Sequence, residues 1–344
     1  MKPQRAIAAS NCLSPTFEER MVRIQSDLRM GLPCHILSDD GQAVVIASER
    51  LTQARLDALR ELFGVPELVL TANRARAVLM QSAIDAPLRI VPPVTAGVDW
   101  FAMLADAEHD NASMQFGPLH TITTGDATLP TLALNLVKFA QLIPAAVMFR
   151  LPRIAELPVD LQFAQVDTSE AAAYFAQSPA LSVTSAAHLP LQAHDAGKLH
   201  VFRDPNGINE HMALEIGSPN RAHSVMCRVH SACFTGDVLG SLKCDCGPQL
   251  RAALEHMGQN GTGVLLYLNQ EGRGIGLANK MRAYSLQDQG FDTVEANHRL
   301  GFEDDERDFR IGSDILKSMG FSSVRLLTNN PRKVEMMQAS GINV

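Results

Sequence analysis

The sequence predicts an α/β fold (α+β) in two domains. The chain has 344 residues, of which 46% are hydrophobic, and this is enough for two cores of ordinary size. Apolar runs of strand length alternate with amphipathic runs of helix length along most of the chain. Near His188 the longer patterns give way to short strands and turns. We place the domain boundary there, which gives domains 1–186 and 187–344.

The N-terminal domain is expected to begin with a helix. Thr16 and Glu19 form a capping-box pattern before an amphipathic run that ends at Gly31. Apolar runs on either side of residues 39–41 predict a β-hairpin. The segments that follow are predicted in this order: a helix in LTQARLDALRELFG, a strand in ELVLTAN, a helix in RARAVLMQSAI, a stop at PLRIVPPV, a helix in TLALNLVKFAQLI, strands in AAVMFRL and LQFAQVD, and a helix in SEAAAYFAQ.

The C-terminal domain is expected to open with short strands and to continue as a mixed α/β core. Pro248 in a first turn and Gly261 beyond the last turn bound one helix. Loops at strand ends are where such a core usually carries function. The predicted segments are a helix in PQLRAALEHMGQNG, a strand in VLLYL, helices in LANKMRAYSLQDQG and IGSDILKSMG, a strand in VRLLT, and a last helix in RKVEMMQASG.

Composition excludes several classes of function. The net charge is −7 and neither half of the chain is basic, which argues against a nucleic-acid partner. The sequence has no run of 18 apolar residues, and its N-terminus turns polar too early for a secretory signal, so we expect no membrane partner. The six cysteines do not form the pattern of a disulfide framework. A cytoplasmic protein with reduced thiols is expected.

The densest chemical signal is a group of three cysteines. Cys233, Cys244 and Cys246 lie within fourteen residues, and His230 lies just before them. Three thiolates suit tetrahedral zinc, with zinc–sulfur bonds of about 2.3 Å. A fourth protein ligand, for which His230 is the candidate, would make the site structural. An open fourth position would make it catalytic.

Three downstream stretches carry groups that suit an anionic ligand. Residues 269–276, NQEGRGIG, place glycines directly before a helix, and residues 328–333, TNNPRK, join a strand to a helix. Backbone amides at such positions bind anions. Residues 298–310, HRLGFEDDERDFR, mix acidic and basic groups and suit acid–base chemistry. Taken singly, residues 269–276 are better explained as a tight turn, and residues 298–310 are better explained as a solvated charged face.

Taken in order, the motifs resemble one enzyme family. RVHSACFTGD, SLKCDCGPQL, QEGRGIGL, DTVEANHRLGF, DERDF and LLTNNPRKVE occur with the order and gaps of GTP cyclohydrolase II of riboflavin biosynthesis. The resemblance covers about Leu189 to Val344. It implies a zinc-dependent reaction that opens the imidazole ring of GTP, releases formate, removes pyrophosphate with the help of Mg²⁺, and leaves a diaminopyrimidinone ribosyl phosphate.

The resemblance also implies roles for individual residues. Tyr284 and Asp305 match acid–base residues, and Arg307 matches a residue proposed as a nucleophile. Because arginine stays protonated in proteins, a phosphate clamp is the simpler role for Arg307, and both roles stay open. The zinc ligands would be Cys233, Cys244 and Cys246, and the GTP-binding residues would be Arg228, Val229, His230, Ser231, Gln249, Glu271, Gly272, Arg273, Thr293, Thr328 and Lys333.

The N-terminal half resembles a second enzyme, 3,4-dihydroxy-2-butanone 4-phosphate synthase, in the stretch IQSDLRMGLPCHILSDDGQAVVIASERLT. The acidic metal-binding cluster of that enzyme is missing after Asp40, where GQAVVIAS follows. We therefore expect a catalytically silent scaffold domain used for packing or for forming a homodimer. Removing residues 1–186 is then expected to leave the chemistry intact.

Two alternatives remain at this stage. Ala232 stands where the family has glutamate, which makes a relative acting on another guanine nucleotide conceivable. The other alternative is a non-catalytic nucleotide-binding or scaffold protein, in which His230 closes a structural zinc site.

Overall fold

The computed structural model describes residues 13–110, 118–178, 181–204 and 209–344. The chain divides into two compact units. The first unit consists of Met1–Ala176 and Ala278–Asp305, and the second consists of Gln177–Leu277 and Glu306–Val344. Residues 278–305, from the C-terminal half of the chain, therefore fold with the N-terminal half. A domain boundary at a single position does not describe this arrangement. The boundary between residues 186 and 187 stays a prediction.

The first unit contains a seven-stranded sheet in the order β5-β4-β3-β6-β2-β1-β7. Its neighbouring strands pair antiparallel, except β1 and β7, which are parallel. The strands are β1 Cys34–Ser38, β2 Gly41–Ala47, β3 Glu67–Leu70, β4 Leu88–Val91, β5 His120–Ile122, β6 Ala145–Leu151 and β7 Ala164–Asp167. The helices are α1 Phe17–Met30, α2 Gln53–Phe63, α3 Ala72–Leu79, α4 Val98–Ala105, α5 Thr128–Phe139 and α6 Thr168–Ala176.

Local sequence signals account for most of these elements. The side chain of Thr16 accepts a hydrogen bond from the backbone of Glu19, whose carboxylate accepts one in return, so the predicted capping box is confirmed. Gly31 ends α1 in the left-handed conformation, at φ 77°. The predicted hairpin is confirmed as β1 and β2, with Cys34 opposite Val45.

The interpretation of PLRIVPPV as a stop is wrong for its first half. Residues 88–91 form β4, which pairs with β3 and β5. Pro92 and Pro93 follow the strand, where their missing N–H groups leave the pairing intact. The sequence also left α4 unpredicted, although Phe101 and Leu104 on it are fully buried.

The second unit contains a six-stranded sheet in the order β13-β11-β12-β10-β9-β8. Strands β13, β11 and β12 are parallel to one another, and the remaining pairs are antiparallel. The strands are β8 Ser182–His188, β9 Gly197–Arg203, β10 Glu210–Ile216, β11 Val225–Ser231, β12 Gly263–Leu268 and β13 Val324–Leu326. The helices of the second half are α7 Cys246–Asn260, α8 Leu277–Asp288, α9 Thr293–Arg299, α10 Arg310–Ser318 and α11 Pro331–Ala339.

The core of the second unit lies between its sheet and its helices. Val229 and Leu266 on the parallel strands pack with Ile315 of α10 and Met337 of α11. The predicted segments PQLRAALEHMGQNG, VLLYL, IGSDILKSMG, VRLLT and RKVEMMQASG all contain the expected type of element. Within the described ranges, no helix combines the length and the apolar character needed to cross a membrane.

Candidate metal and nucleotide site

Three neighbouring parallel strands end at one edge of the second unit's sheet, and most of the predicted site residues follow them. In this set β11 lies between β13 and β12, with Cys227 opposite Leu326 and Ser231 opposite Leu268. Ligands of open α/β sheets bind beyond the carboxyl ends of such strands. The cysteine run follows β11, the glycine loop follows β12, and TNNPRK follows β13.

The three predicted metal ligands form a cluster. Cys233 follows β11, and Cys244 and Cys246 lie at the start of α7. Their sulfur atoms all lie within 4.8 Å of one another, and the Sγ atoms of Cys233 and Cys244 are 3.6 Å apart. Sulfur atoms bound to one tetrahedral zinc ion would be about 3.8 Å apart. The donor set and its spacing therefore fit a zinc ion.

Two glycines allow the cysteines to come this close. A Cβ atom on Gly236 would lie 2.6 Å from the Sγ atom of Cys244 and 3.1 Å from that of Cys233. A Cβ atom on Gly247 would lie 2.1 Å from the carbonyl oxygen of Gly236. Only hydrogen fits at both positions, so these glycines are part of the construction of the cluster.

Asp237 organises the residues around the first cysteine. Its buried carboxylate accepts hydrogen bonds from the backbone N–H of Cys233 at 3.0 Å and from the hydroxyl of Tyr267 at 2.9 Å. Nε2 of His230 lies 3.0 and 3.1 Å from its two oxygens, and the His230 and Tyr267 rings stack at 5.5 Å. Among the described residues, the group of possible metal donors contains the three cysteines and not His230. The Nε2 atom of His230 is hydrogen-bonded to Asp237.

Burial controls the protonation of these groups. Burial, together with the charges of Arg228 and Lys333, lowers the pKa of His230 although Asp237 raises it, and this favours the neutral imidazole. Burial raises the pKa of the Cys246 thiol, and its neighbours Cys233 and Cys244 raise it further. Three thiols at this spacing resist losing their protons together, and a divalent cation among them would reverse that preference.

The predicted glycine loop forms a tight turn with unusual backbone angles. Gly272, Arg273 and Gly274 all have positive φ, at 63°, 60° and 94°. For the arginine this conformation costs on the order of 1–3 kcal/mol, and such strain collects at ligand sites. The carboxylate of Glu271 accepts hydrogen bonds from the N–H of Phe234 at 2.6 Å and from that of Gly272 at 3.0 Å. Glu271 therefore links the glycine loop to the segment that follows the first cysteine.

Arg228 and Gln249 lie together beside the cluster. The Nη2 atom of Arg228 donates to the side-chain oxygen of Gln249 at 2.5 Å, and Nη1 donates to the carbonyl of Leu327 at 3.0 Å. In the described part of the chain, the buried Nε atom of Arg228 has no hydrogen-bond partner. Gln249 also donates to the carboxylate of Asp245, the residue between the last two cysteines. Arg228, in the middle of β11, thus connects the residue that follows β13 with the first turn of α7.

Lys333 and Arg307 bring two more cations to this edge. The Nζ atom of Lys333 donates to the carbonyl of Val229 at 2.9 Å in a buried position. The Nη1 atom of Arg307 donates to the hydroxyl of Ser231 at 3.4 Å. Both cations lie over the ring of Phe309, at 5.2 Å and 4.8 Å from its centre. The two cations therefore share one aromatic support beside β11.

Thr328 lies between β13 and α11, as predicted. Its hydroxyl accepts a hydrogen bond from the N–H of Asn330 at 3.0 Å. Asn330 in turn caps α11 by accepting from the N–H of Arg332. Hydrogen bonding thus orders the turn in front of a helix N-terminus, which is a favourable position for an anion.

The structure places three predicted site residues in the first unit. Tyr284 lies on α8, with the Nζ atom of Lys280 5.7 Å from its ring centre. Thr293 begins α9, and its hydroxyl accepts a hydrogen bond from Gln287 at 3.0 Å. Asp305 is the last residue of the segment that folds with the first unit. The other predicted residues belong to the second unit.

Sequence reasoning missed several parts of this site. Gly236, Asp237, Tyr267 and Gly247 were not singled out, although all four shape or support the cysteine cluster. The signal for Gly236 and Asp237 was the TGD that follows the first cysteine. No local pattern marks Tyr267, because it reaches Asp237 from a neighbouring strand.

Comparison with known proteins agrees with the sequence motifs. A model of the GTP cyclohydrolase II family matches residues 182–344. A GTP cyclohydrolase-2 from Azospirillum brasilense is 36% identical over 331 residues, which cover 94% of this chain and 86% of that relative. A GTP cyclohydrolase-2 from Cronobacter sakazakii is 61% identical over 135 residues, which cover 39% of this chain and 68% of that relative. Riboflavin biosynthesis protein RibBA from Bacillus cereus is 48% identical over 199 residues, 57% of this chain and 50% of that relative.

Solved structures give a weaker likeness. RibBX, a two-domain 3,4-dihydroxy-2-butanone 4-phosphate synthase from A. baumannii, overlaps 90% of this chain and 94% of its own, with 15% identity and a TM-score of 0.34. A cation-free 3,4-dihydroxy-2-butanone 4-phosphate synthase overlaps 45% of this chain and 95% of its own, with 13% identity and a TM-score of 0.35. Overlap at this level carries no conclusion about activity.

Proposed function

The chain belongs to the GTP cyclohydrolase II family, and we propose that it is a hydrolase that acts on GTP in riboflavin biosynthesis. The proposal rests on the group of three cysteine sulfur atoms, which lie within 4.8 Å of one another after β11. Two cations accompany it, since Arg228 lies on β11 and Lys333 donates to the carbonyl of Val229 on that strand. A metal centre beside cations suits a substrate that combines a ring to be hydrolysed with a triphosphate. A purely structural metal site would not need these cations.

We propose zinc as the metal, held by Cys233, Cys244 and Cys246. Three thiolate donors favour zinc over magnesium or calcium, which prefer oxygen. Zinc bound there would supply a Lewis acid that lowers the pKa of a water molecule for attack on the guanine ring. Among the described residues, the group of possible metal donors contains the three cysteines and not His230, which supports a site in which the histidine is not a ligand.

The cations and the glycine loop suit the triphosphate. Arg228 lies on β11, and Lys333 and Arg307 donate to that strand. Together they carry three positive charges, against the roughly four negative charges of a triphosphate. Mg²⁺ bound to phosphate oxygens would balance the remainder. The backbone N–H groups of residues 271–273 and the side chains of His230, Ser231, Gln249 and Thr328 are the remaining binding groups of the second unit that the resemblance implies.

Acid–base roles come to Tyr284 and Asp305 by resemblance, and a binding role comes to Thr293. A thiolate-rich zinc site is a weaker Lewis acid than one built from neutral imidazoles, so proton transfer by a side chain is needed. We assign Arg307 the role of phosphate clamp, because its guanidinium stays charged and already donates to Ser231. Formate, pyrophosphate and a diaminopyrimidinone ribosyl phosphate are the proposed products.

The assembly and the compartment are further proposals. We propose a homodimer in the cytoplasm. A reducing compartment agrees with the five described cysteines, all of which are free thiols. Sedimentation of the purified chain would measure its oligomeric state directly.

The decisive experiment is incubation of the purified chain with GTP, Zn²⁺ and Mg²⁺, followed by assays for formate and pyrophosphate. Both should appear in equal amounts, and chelation of zinc should abolish both. GDP and other guanine nucleotides, tested in parallel, decide whether Ala232 has changed the substrate. Zinc-loaded protein that releases formate from none of them would show that the cluster is structural.

A further inference from the structure

Part of the C-terminal half folds with the first unit. Residues 278–305, called here the crossing segment, belong to the first unit, whereas the residues on both sides of them belong to the second. The crossing segment contains nearly all of α8, all of α9 and the loop that follows. It carries Tyr284, Thr293 and Asp305, to which the proposed function gives roles. Their placement therefore depends on what holds this segment.

Arg74 on α3 holds the end of α9. Its side chain is only 1% exposed, which is unusual for an arginine. The guanidinium donates to the carbonyl of Leu104 at 2.8 Å and to that of Arg299 at 3.1 Å, and it pairs with Asp110 at 2.7 Å. Asp110 also pairs with the side chain of Arg299 at 3.3 Å. A rigid fork with three fixed partners permits one arrangement of these elements.

Two neighbours of Arg74 hold the loop that follows α9. Thr71 donates its hydroxyl hydrogen to the carbonyl of Gly301 at 2.8 Å, and Asn73 donates to the carbonyl of Phe302 at 2.8 Å. A Cβ atom on Gly301, which has φ +92°, would lie 2.9 Å from the Thr71 hydroxyl. The N-terminal residues of α3 therefore donate hydrogen bonds to two successive backbone carbonyls of the crossing segment.

A second set of contacts holds α8, the helix that carries Tyr284. The side chain of the fully buried Asn279 donates to the carbonyl of Gln141 at 3.1 Å. Arg282 pairs with Glu49 at 2.9 Å and with Asp106 at 3.4 Å. Both ends of the crossing segment are thus tied to the first unit by directional polar contacts.

We propose that the rest of the first unit positions the crossing segment for GTP turnover, with Arg74 as the principal positioning residue. The proposal rests on the proposed function, since it concerns the residues given roles there. A buried charge without a partner, or a buried polar group without a hydrogen bond, costs free energy. These contacts therefore favour one position of the crossing segment. A displacement of about 1 Å can lower turnover by about 10²-fold. The first unit is then more than a scaffold for packing.

The test compares Arg74→Met with a matched control, Arg89→Met. Arg89 is also a buried arginine of the first unit, but it contacts Glu67 and Thr124, which lie outside the crossing segment. Each variant removes one buried guanidinium and leaves a carboxylate without that partner. Formate release from GTP, zinc content and hydrogen–deuterium exchange of residues 278–305 are measured for both in the full-length chain.

We expect both variants to keep zinc, because the cysteines lie in the second unit. Arg74→Met should lower kcat by about 10²-fold and speed exchange in the crossing segment, whereas Arg89→Met should do neither. Arg74→Lys, which keeps the charge without the fork, should fall between them. Equal kcat, or equal exchange, in the two methionine variants would overturn the proposal.

A second pair covers the case in which Arg74→Met does not fold. Thr71 and Thr52 both cap helices through their hydroxyls, but only Thr71 also contacts the crossing segment. Thr71→Val should lower kcat and speed exchange in that segment, and Thr52→Val should not. If the unmodified chain releases no formate, the proposed function fails. The exchange comparison then still decides whether these contacts hold the segment.

Discussion

Replacing Gly236 with alanine should damage the metal site without removing a ligand. The added Cβ atom would lie 2.6 Å from the Sγ atom of Cys244, whereas ordinary contact begins at 3.4 Å. The sulfur or the backbone must therefore move by 0.8 Å (3.4 − 2.6) to restore ordinary contact. Metal sites tolerate deviations of only about 0.2 Å in ligand distance. The cluster cannot absorb the methyl group by small adjustments.

We expect the zinc affinity of Gly236→Ala to fall by at least about 10²-fold, which corresponds to about 2.7 kcal/mol. Competition with a chromophoric zinc chelator measures this affinity directly. Gly312→Ala is the matched control, because a Cβ atom there meets its nearest neighbour, Leu266, at 3.4 Å. If Gly236→Ala and the control bind zinc equally tightly, the cysteine cluster accommodates the added Cβ atom and the prediction is wrong.

Three further predictions concern the second unit, and one concerns the first. Cys244→Ser should lose both zinc and formate release, and turnover in the metal-depleted variant would contradict a catalytic metal. Asp237→Ala leaves three donors unpaired at a cost of about 1–3 kcal/mol each, so thermal unfolding should begin at a lower temperature, and Asp237→Asn should lose less. Glu215→Gln should destabilise the protein at neutral pH but not in acid. Ribulose 5-phosphate should yield no dihydroxybutanone phosphate, and any turnover would contradict a silent first unit.

The pH dependence of Glu215→Gln follows from the pKa of Glu215. Burial raises this pKa, but the hydrogen bonds and charges of Arg221 and His200 outweigh burial and hold it below its usual range. A lowered pKa in the folded state contributes stability above the unfolded value of about 4.3, and this contribution is lost as pH falls through the folded pKa. Urea unfolding at neutral and acidic pH should show that the difference in free energy of unfolding between variant and parent shrinks as the pH falls. A constant difference would contradict it.

The expectation that residues 1–186 are dispensable changes with the structure. Their removal would strip the crossing segment of Thr71, Asn73 and Arg74, together with the ion pairs of Arg282. We now expect the remaining fragment to lose turnover while the cysteine cluster still binds zinc. Formate release by that fragment at the rate of the full-length chain would restore the original expectation.

Local features of the fold were predictable from the sequence alone. Thr16 with Glu19, and Gly31, bounded α1, because caps act within one helical turn. The spacing of Cys233, Cys244 and Cys246 predicted a cluster, and the order of the motifs predicted the family. These signals are readable because each depends on residues close together in the chain.

The other features depend on contacts between residues far apart in the chain, and these contacts are seen only in the folded structure. Asp237, in the turn after β11, accepts a hydrogen bond from Tyr267 on the neighbouring strand β12. Arg74 reaches the carbonyl of Arg299 although 225 residues separate them. Composition described HRLGFEDDERDFR as a charged stretch that suits acid–base chemistry, but it did not show that the first two residues lie on α9 and that most of the stretch belongs to the first unit. No periodicity or cap signals such a partner, since hydrogen bonds to backbone carbonyls leave no pattern in the residues that accept them.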